Sequence, residues 1–244
     1  MPVIDCYGEL GPQNYLTSAT NVDALTAMMA RFGVDTTIVV STEALKGSMK
    51  DGNQWLFEQI DGHANLRGYC VVDPIRFEAS QIEMRKHLVK DCFVGAALHE
   101  GYETRPLNSQ HMIALVKSLL RYDAPLLLDI GSDARRINDL QEVALQFPTQ
   151  RFIILHMARE NWPMAIPLAA KSTNIYLEIG GLVADSDKLS EAVSILGPHR
   201  ILFGSGMPFV NPAYILGEVG DSNIENMDKE KILFRNAKKI FLLD

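Results

Sequence analysis

Residues 124–156 read APLLLDIGSDARRINDLQEVALQFPTQRFIILH, and this stretch decides the fold. Two short apolar runs, APLLLDI from Ala124 and RFIILH from Arg151, flank INDLQEVALQFP, whose apolar residues recur at three- and four-residue intervals. The runs have the length of strands, and the segment between them has the period of an amphipathic helix. Neither run alternates apolar with polar residues, so both strand faces are covered, as in a parallel sheet packed under helices. Each run turns ionisable only near its end, at Asp129 and His156.

The same unit recurs on both sides. PVIDC from Pro2, DTTIVVS from Asp35, LRGYCVV from Leu66 and FVGAALH from Phe93 precede it, and NIYLEI from Asn174 and RILFG from Arg200 follow, making eight runs. Helix-like patterns such as NVDALTAMMARFG, FEASQIEMRKHLVK, SQHMIALVKSLLRY, WPMAIPLAAKS and DKLSEAVSILG lie between them. NQWLFEQI is the expected helix in the less regular segment between runs two and three, and DKEKILFRNAKKIFLL supplies a closing amphipathic helix. Run starts lie about 23 to 33 residues apart, enough for the dozen or more residues that a parallel crossover needs. A single (β/α)8 TIM barrel over residues 1–244 follows, with a doubly wound open sheet as the competitor. No GxGxxG follows the first run, so dinucleotide binding has no motif to rest on.

Composition agrees with a globular chain: 244 residues, 47% hydrophobic and 22% charged, without a Gly/Ser- or Pro-rich linker. Twenty-three Lys and Arg against 30 Asp and Glu give a net charge of −7, which argues against nucleic acid or an anionic membrane as partner. No apolar run reaches the roughly 20 residues needed to cross a bilayer, and MPVIDCYGEL lacks the basic and apolar regions of a leader. A cytoplasmic protein with a small-molecule partner is expected, its oligomeric state open and a homo-oligomer compatible with the sequence. Cys6, Cys70 and Cys92 are odd in number and not in CxxC spacing, so they read as buried small hydrophobes.

In a barrel of this kind, chemistry gathers at the C-terminal ends of the strands. Those ends carry Asp5, Tyr7 and Glu9; Ser41 and Thr42; Asp73; His99 and Glu100; Asp129; His156 and Arg159; Glu178; and Ser205. Burying a carboxylate or imidazole beside an apolar core costs several kcal/mol, about, unless the group is paired or used. Strand alternation gives Asp5, Tyr7 and Glu9 one inward parity and turns Cys6 toward the helical shell. His63, His87, His111 and His199 fall in helices or loops at the opposite end and read as solvent-facing, while Trp162 is placed to wall the pocket.

VIDCYGEL, GYCVVDP, GAALHEGY, PLLLDIG, FIILHMA, NIYLEIGG, RILFGSGMP and ILFRNAKKIF together resemble amidohydrolase family 2, in order and over almost the full length. The resemblance implies a TIM-barrel, metal-dependent hydrolase or decarboxylase acting on organic carboxylates, lactones or amides. It also implies Asp-x-His-x-His on strand one, where this chain keeps Asp5 but has Tyr7 and Glu9 at the His positions. Asp129 stands where a His commonly ends strand five, the strand-six His is retained as His156, and Gly206 replaces the strand-eight Asp. Metal binding by the family pattern is therefore not expected, since glycine is no ligand and phenol a poor one. A rebuilt site for zinc, manganese or magnesium would draw on Glu9, Asp129 and His156, with His99 or Glu178.

The expected catalytic set is His156, Asp129, Glu9 and Tyr7. His156 shuttles a proton on strand six, with Asp129 and Glu178 beside it. His99, Arg159, Glu178 and Ser205 form the expected substrate-binding set, with Arg159, Arg105 and Ser205 suited to gripping a carboxylate. Two readings stand: a divergent hydrolase or lyase, and a catalytically inactive barrel that binds a ligand or protein partner.

Overall fold

In the computed structural model, which describes residues 1–12, 21–102, 104–131, 133–181 and 187–243, the eight runs form eight strands. They are β1 (Ile4–Leu10), β2 (Thr36–Ser41), β3 (Leu66–Val72), β4 (Phe93–Leu98), β5 (Leu126–Leu128), β6 (Phe152–Ile154), β7 (Ile175–Glu178) and β8 (Ile201–Leu202). All neighbours are parallel and follow chain order. The ring closes through the backbone after β8: Cys6 N donates to Phe203 O at 2.8 Å, Gly206 N to Tyr7 O at 2.7 Å, and Glu9 N to Met207 O at 2.9 Å. This is a TIM barrel.

Helices α1 (Val22–Phe32), α2 (Thr42–Lys46), α3 (Met49–Ile60), α4 (Phe77–His87), α5 (Gln110–Leu119) and α6 (Arg135–Gln146) surround its first half. The second half adds α7 (Trp162–Ala170), α8 (Lys188–Leu196), α9 (Pro212–Asp221), α10 (Asn226–Glu230) and α11 (Asn236–Ile240). Local chemistry sets several boundaries. Asn21 accepts from Ala24 N at 2.9 Å and Ser109 from Met112 N at 3.2 Å, capping α1 and α5. Gly33, at φ 67°, ends α1 in the left-handed conformation that glycine adopts without penalty.

Two apolar clusters divide the strand residues by alternation. Leu126, Leu128, Phe152, Ile154 and Leu177 join the cluster packed under the helices. Ile38, Val40, Tyr69, Leu127 and Ile153 join the one that fills the barrel. Burial of each such side chain is worth about 1.5–3 kcal/mol, which fixes strand register strongly.

Several expectations need correction. Cys6 packs in the barrel-filling cluster, not toward the shell, because the β1 register shifts between Asp5 and Gly8 and breaks strict alternation. β5 and β8 are shorter than their apolar runs. Asp129 folds back on its own turn, accepting from Gly131 N at 2.8 Å, and Phe203 N donates to Ile232 O at 3.1 Å. That second bond takes a helical carbonyl away from its helix, and the closing helix opens into a π-helical turn at Lys231–Arg235 between α10 and α11. α2 and α9 were not anticipated.

His87 is fully buried, not solvent-facing: its ring sits 5.0 Å from that of Phe93 and its Nε2 lies 3.3 Å from the Glu83 carboxylate. Cys6 and Cys70 are buried as expected, but Cys92 is half-buried. Trp162 packs against the shell core. Among the described residues, no helix is long and apolar enough to cross a membrane.

Candidate active site

The C-terminal end of β1 begins the site. Asp5 is fully buried; its Oδ1 accepts from Tyr7 N at 3.0 Å and Ser205 N at 2.9 Å, and its Oδ2 meets the Ser205 hydroxyl. Burial outweighs these bonds and pushes its pKa from 3.8 up to about 7, with the Glu178 charge adding to the rise. Ser205 in turn accepts from Met207 N at 3.0 Å, so Asp5 and Ser205 pin the backbone after β8 to β1. Tyr7 donates its hydroxyl to Glu9 Oε1 at 2.7 Å. Burial and the Glu9 charge hold Tyr7 well above its usual pKa, so it stays a phenol and a donor.

Beyond β6 the chain takes an unusual course. His156 was expected on the strand, but β6 ends at Ile154 and His156 lies in the following turn. His156, Met157, Ala158 and Arg159 have φ of 56°, 50°, 65° and 55°, four successive non-glycine residues in the left-handed region. His156, Met157 and Ala158, with ψ of 25°, 32° and 25°, are left-handed helical and each costs about 1–2 kcal/mol relative to right-handed backbone, while Arg159, with ψ −128°, leaves that conformation. The turn is held from β7: Glu178 Oε2 accepts from His156 N at 2.9 Å, while Met157 and Ala158 are fully buried beneath it.

Glu178 has no exposed surface, and its Oε1 accepts from Gly180 N at 2.5 Å. Glycine is needed around it, because a Cβ on Gly204 would come within 2.7 Å of the Glu178 Cδ. His156 Nδ1 lies 3.5 Å from Glu178 Oε2, and its ring meets that of Tyr7 edge-on at 5.6 Å. Burial would lower the His156 pKa, but the adjacent Glu178 and the Asp129 charge outweigh it, and the net shift is upward.

The same turn presents Arg159, whose Nη2 meets Asp129 Oδ2 at 2.5 Å. Asp129 is held from behind by a residue sequence reasoning missed. Arg136, 2% exposed, donates to the carbonyls of Asp129, Ile130, Tyr102 and Arg105 at 3.0, 2.7, 3.2 and 3.2 Å. Nothing in DARRI separates that buried arginine from its exposed neighbour Arg135.

A cleft of about 410 Å³ opens at the mouth. Tyr7, Glu9, Asp129, His156, Arg159 and Ser205, all expected, line it, together with Lys46, Glu100, Glu160 and Phe209. Lys46 reaches the mouth because β2 runs directly into α2, and it pairs with Glu100 at 3.6 Å. A smaller cavity of about 30 Å³ shares Tyr7, Glu100 and Asp129 with the cleft and reaches inward between Val40, Leu45, Ala97 and Leu127. His99 lines this inner space. Its Nδ1 accepts from Gly101 N at 2.9 Å, Nε2 faces Gly47 O at 3.4 Å, and burial lowers its pKa, which together keep it a neutral, fixed ring. Glu178 lies behind His156 as its support. Arg105 is exposed, and Ser41 and Asp73 serve local turns, Ser41 capping α2 and Asp73 bonding Ile75 N and Arg76.

The donors do not fit a divalent metal of the kind the resemblance implies. Both Asp5 oxygens are bonded, Tyr7 is directed to Glu9, and Asp129 holds a guanidinium. Among the described residues, no three His, Cys, Asp or Glu side chains form a group able to hold a metal ion.

Comparison with known proteins agrees with the fold. A 2,6-dihydroxybenzoate decarboxylase from Rhizobium is 17% identical, with a TM-score of 0.78 over 100% of this chain and 98% of that one. An amidohydrolase from Burkholderia multivorans with bound zinc is 16% identical, with a TM-score of 0.80 over 100% of both chains. A dihydroxybenzoic acid decarboxylase from Polaromonas, with bound manganese and the inhibitor 2-nitroresorcinol, is 17% identical, with a TM-score of 0.78 over 99% of this chain and 96% of that one. No curated protein matches the chain. The amidohydrolase family profile matches residues 11–243, nearly the whole barrel from the end of β1 onward, and the chain belongs to that family.

Proposed function

We propose that the chain is an enzyme that carries out metal-independent acid/base chemistry on a small organic acid or its lactone or amide, with proton transfer through His156. The observation that supports this reading is the placement of His156. It lines the mouth cleft, 17% exposed, with its Nδ1 3.5 Å from the buried Glu178 carboxylate. A carboxylate behind an imidazole orients the ring and favours its protonated form, which suits it to give a proton to a substrate.

Of the two reaction types, the lyase is favoured. Hydrolysis in the family manner needs a base beside the attacking water, and Gly206 offers no side chain there. Decarboxylation needs a proton donor. The bond from carbon to the carboxylate breaks, carbon dioxide leaves, and the electron pair left on carbon takes the proton of the His156 imidazolium, which water then restores. Tyr7, kept as a phenol with its one proton given to Glu9 Oε1, presents oxygen lone pairs at the cleft wall that can accept from a substrate hydroxyl. Structural neighbours that decarboxylate hydroxybenzoates support a carboxylate substrate. A cleft of about 410 Å³ remains beside the side-chain pairs and leaves room for a small substrate, and turnover is what separates this reading from an inactive barrel that binds a ligand.

The test is a turnover screen of hydroxybenzoates, lactones and esters, with wild type and His156→Ala compared. The proposal expects turnover lost in the variant, about 100-fold or more for a general acid. Undiminished turnover in His156→Ala, or none in the wild type across the panel, overturns it.

A further inference from the structure

Arg159 is placed unlike an ordinary surface arginine. It ends the left-handed turn that also presents His156, its side chain is 47% exposed to the cleft, and its Nη2 meets the 13% exposed Asp129 at 2.5 Å. A divalent metal at a barrel mouth supplies a fixed centre of positive charge against which a substrate oxygen is held. The donors here do not converge on a metal, yet a fixed positive charge is present, carried by the chain and clamped from two sides. Glu178 fixes the turn backbone at His156 N, and Asp129 fixes the guanidinium, itself backed by the bonds of Arg136 to its carbonyl.

We propose that the Arg159 guanidinium is the resident cation of this site, standing in for the divalent metal and receiving the carboxylate or carbonyl oxygen of the substrate. This rests on the reading of the cleft as a metal-independent acid/base site. A guanidinium presents five N–H donors in a planar fork and keeps its charge at any working pH, so a carboxylate is bound in a defined orientation. It is not a Lewis acid that lowers the pKa of a bound water, so the substitution favours reactions that hold an oxyanion and move a proton over those that need metal hydroxide. Asp129 sets the direction of the fork. It also competes with an anionic ligand for that charge, which gives the proposal a second signature.

The experiment measures binding, separately from turnover. The full chain, freed of adventitious ions with chelating resin, is titrated with manganese and zinc chloride and then with benzoate and its neutral counterpart benzamide. The expected results are no stoichiometric metal, and benzoate binding that Arg159→Gln weakens about tenfold or more while benzamide changes little. Arg159→Lys, which keeps the charge but loses the fork, falls between, and Asp129→Asn tightens benzoate by removing the competing carboxylate. One equivalent of metal bound in wild type and lost in His156→Ala overturns the proposal. So does benzoate affinity that is absent in wild type or unmoved by Arg159→Gln. Loss of turnover in His156→Ala beside unmoved benzoate binding in Arg159→Gln sinks this inference alone.

Discussion

Replacing Asp5 with Asn probes the buried carboxylate at the seam where the barrel closes. Asp5 has no exposed surface and titrates near 7 in the folded protein, chiefly because burial disfavours its charge, against 3.8 for the ordinary carboxyl. Between about pH 4 and pH 7 the folded state therefore binds one more proton at this site than the unfolded chain. The unfolding free energy then falls as pH rises, by about 1.4 kcal/mol per unit within the window. The contribution of the group is complete below the unfolded value and is gone above about pH 7, a total near 4 kcal/mol. Asn keeps the shape, accepts the N–H groups of Tyr7 and Ser205 through Oδ1, donates to the Ser205 hydroxyl through Nδ2, and does not titrate. Urea unfolding of both proteins at about pH 5, 6, 7 and 8 is the assay. The stability of Asp5→Asn relative to wild type should rise by about 2 to 3 kcal/mol from pH 5 to pH 8. Parallel pH profiles would refute the argument, because they would mean that Asp5 is ionised in both states.

Glu178→Gln keeps one acceptor oxygen for His156 N, loses the acceptor for Gly180 N and removes the charge beside the imidazole, so the His156 pKa should fall, as followed by NMR of the ring protons; an unchanged titration would assign the upward shift elsewhere. Gly204→Ala forces a methyl group against the Glu178 carboxylate, where a Cβ would lie within 2.7 Å of Cδ, and should cost about 1–3 kcal/mol in urea unfolding. Glu178→Ala should remove most of that cost when combined with it, and additive losses would show that the two sites do not touch.

The β5, α6, β6 unit is legible in sequence because its signals are local: strand-length apolar runs, a helical period between them, and ionisable residues where the strands end. The convergence of Tyr7, Glu9, Asp129, His156 and Arg159 on one cleft follows from that topology, since parallel strands bring all their C-terminal ends to one side. The left-handed turn at residues 156–159 is not legible. HMAR contains no glycine, and the conformation is imposed by Glu178, 22 residues later, and by the burial of Met157 and Ala158. The direction of Cys6 was misread for a related reason: a shift of register within β1 leaves no mark in VIDCYGEL. His87 looks like any polar residue near a helix end until Phe57 and Phe93 close around it.

The changes at the mouth are coupled rather than independent losses. Asp129, where the family pattern implies a neutral imidazole, puts a negative charge in a partly enclosed cleft that also holds Glu9, Glu100 and Glu160, and like charges there repel strongly. Arg159 offsets that charge at 2.5 Å, as the Tyr7 hydroxyl engages Glu9 at 2.7 Å and Lys46 faces Glu100 at 3.6 Å. Three of these carboxylates, Asp129, Glu9 and Glu100, are each matched with a donor that a metal would have to displace. Returning one position to a metal ligand, such as Asp at residue 206, adds a further negative charge and leaves these three pairs in place. The three pairs share one cleft, so changes at them are not expected to add, and Gly206→Asp alone is expected to bind no stoichiometric manganese or zinc in a metal titration.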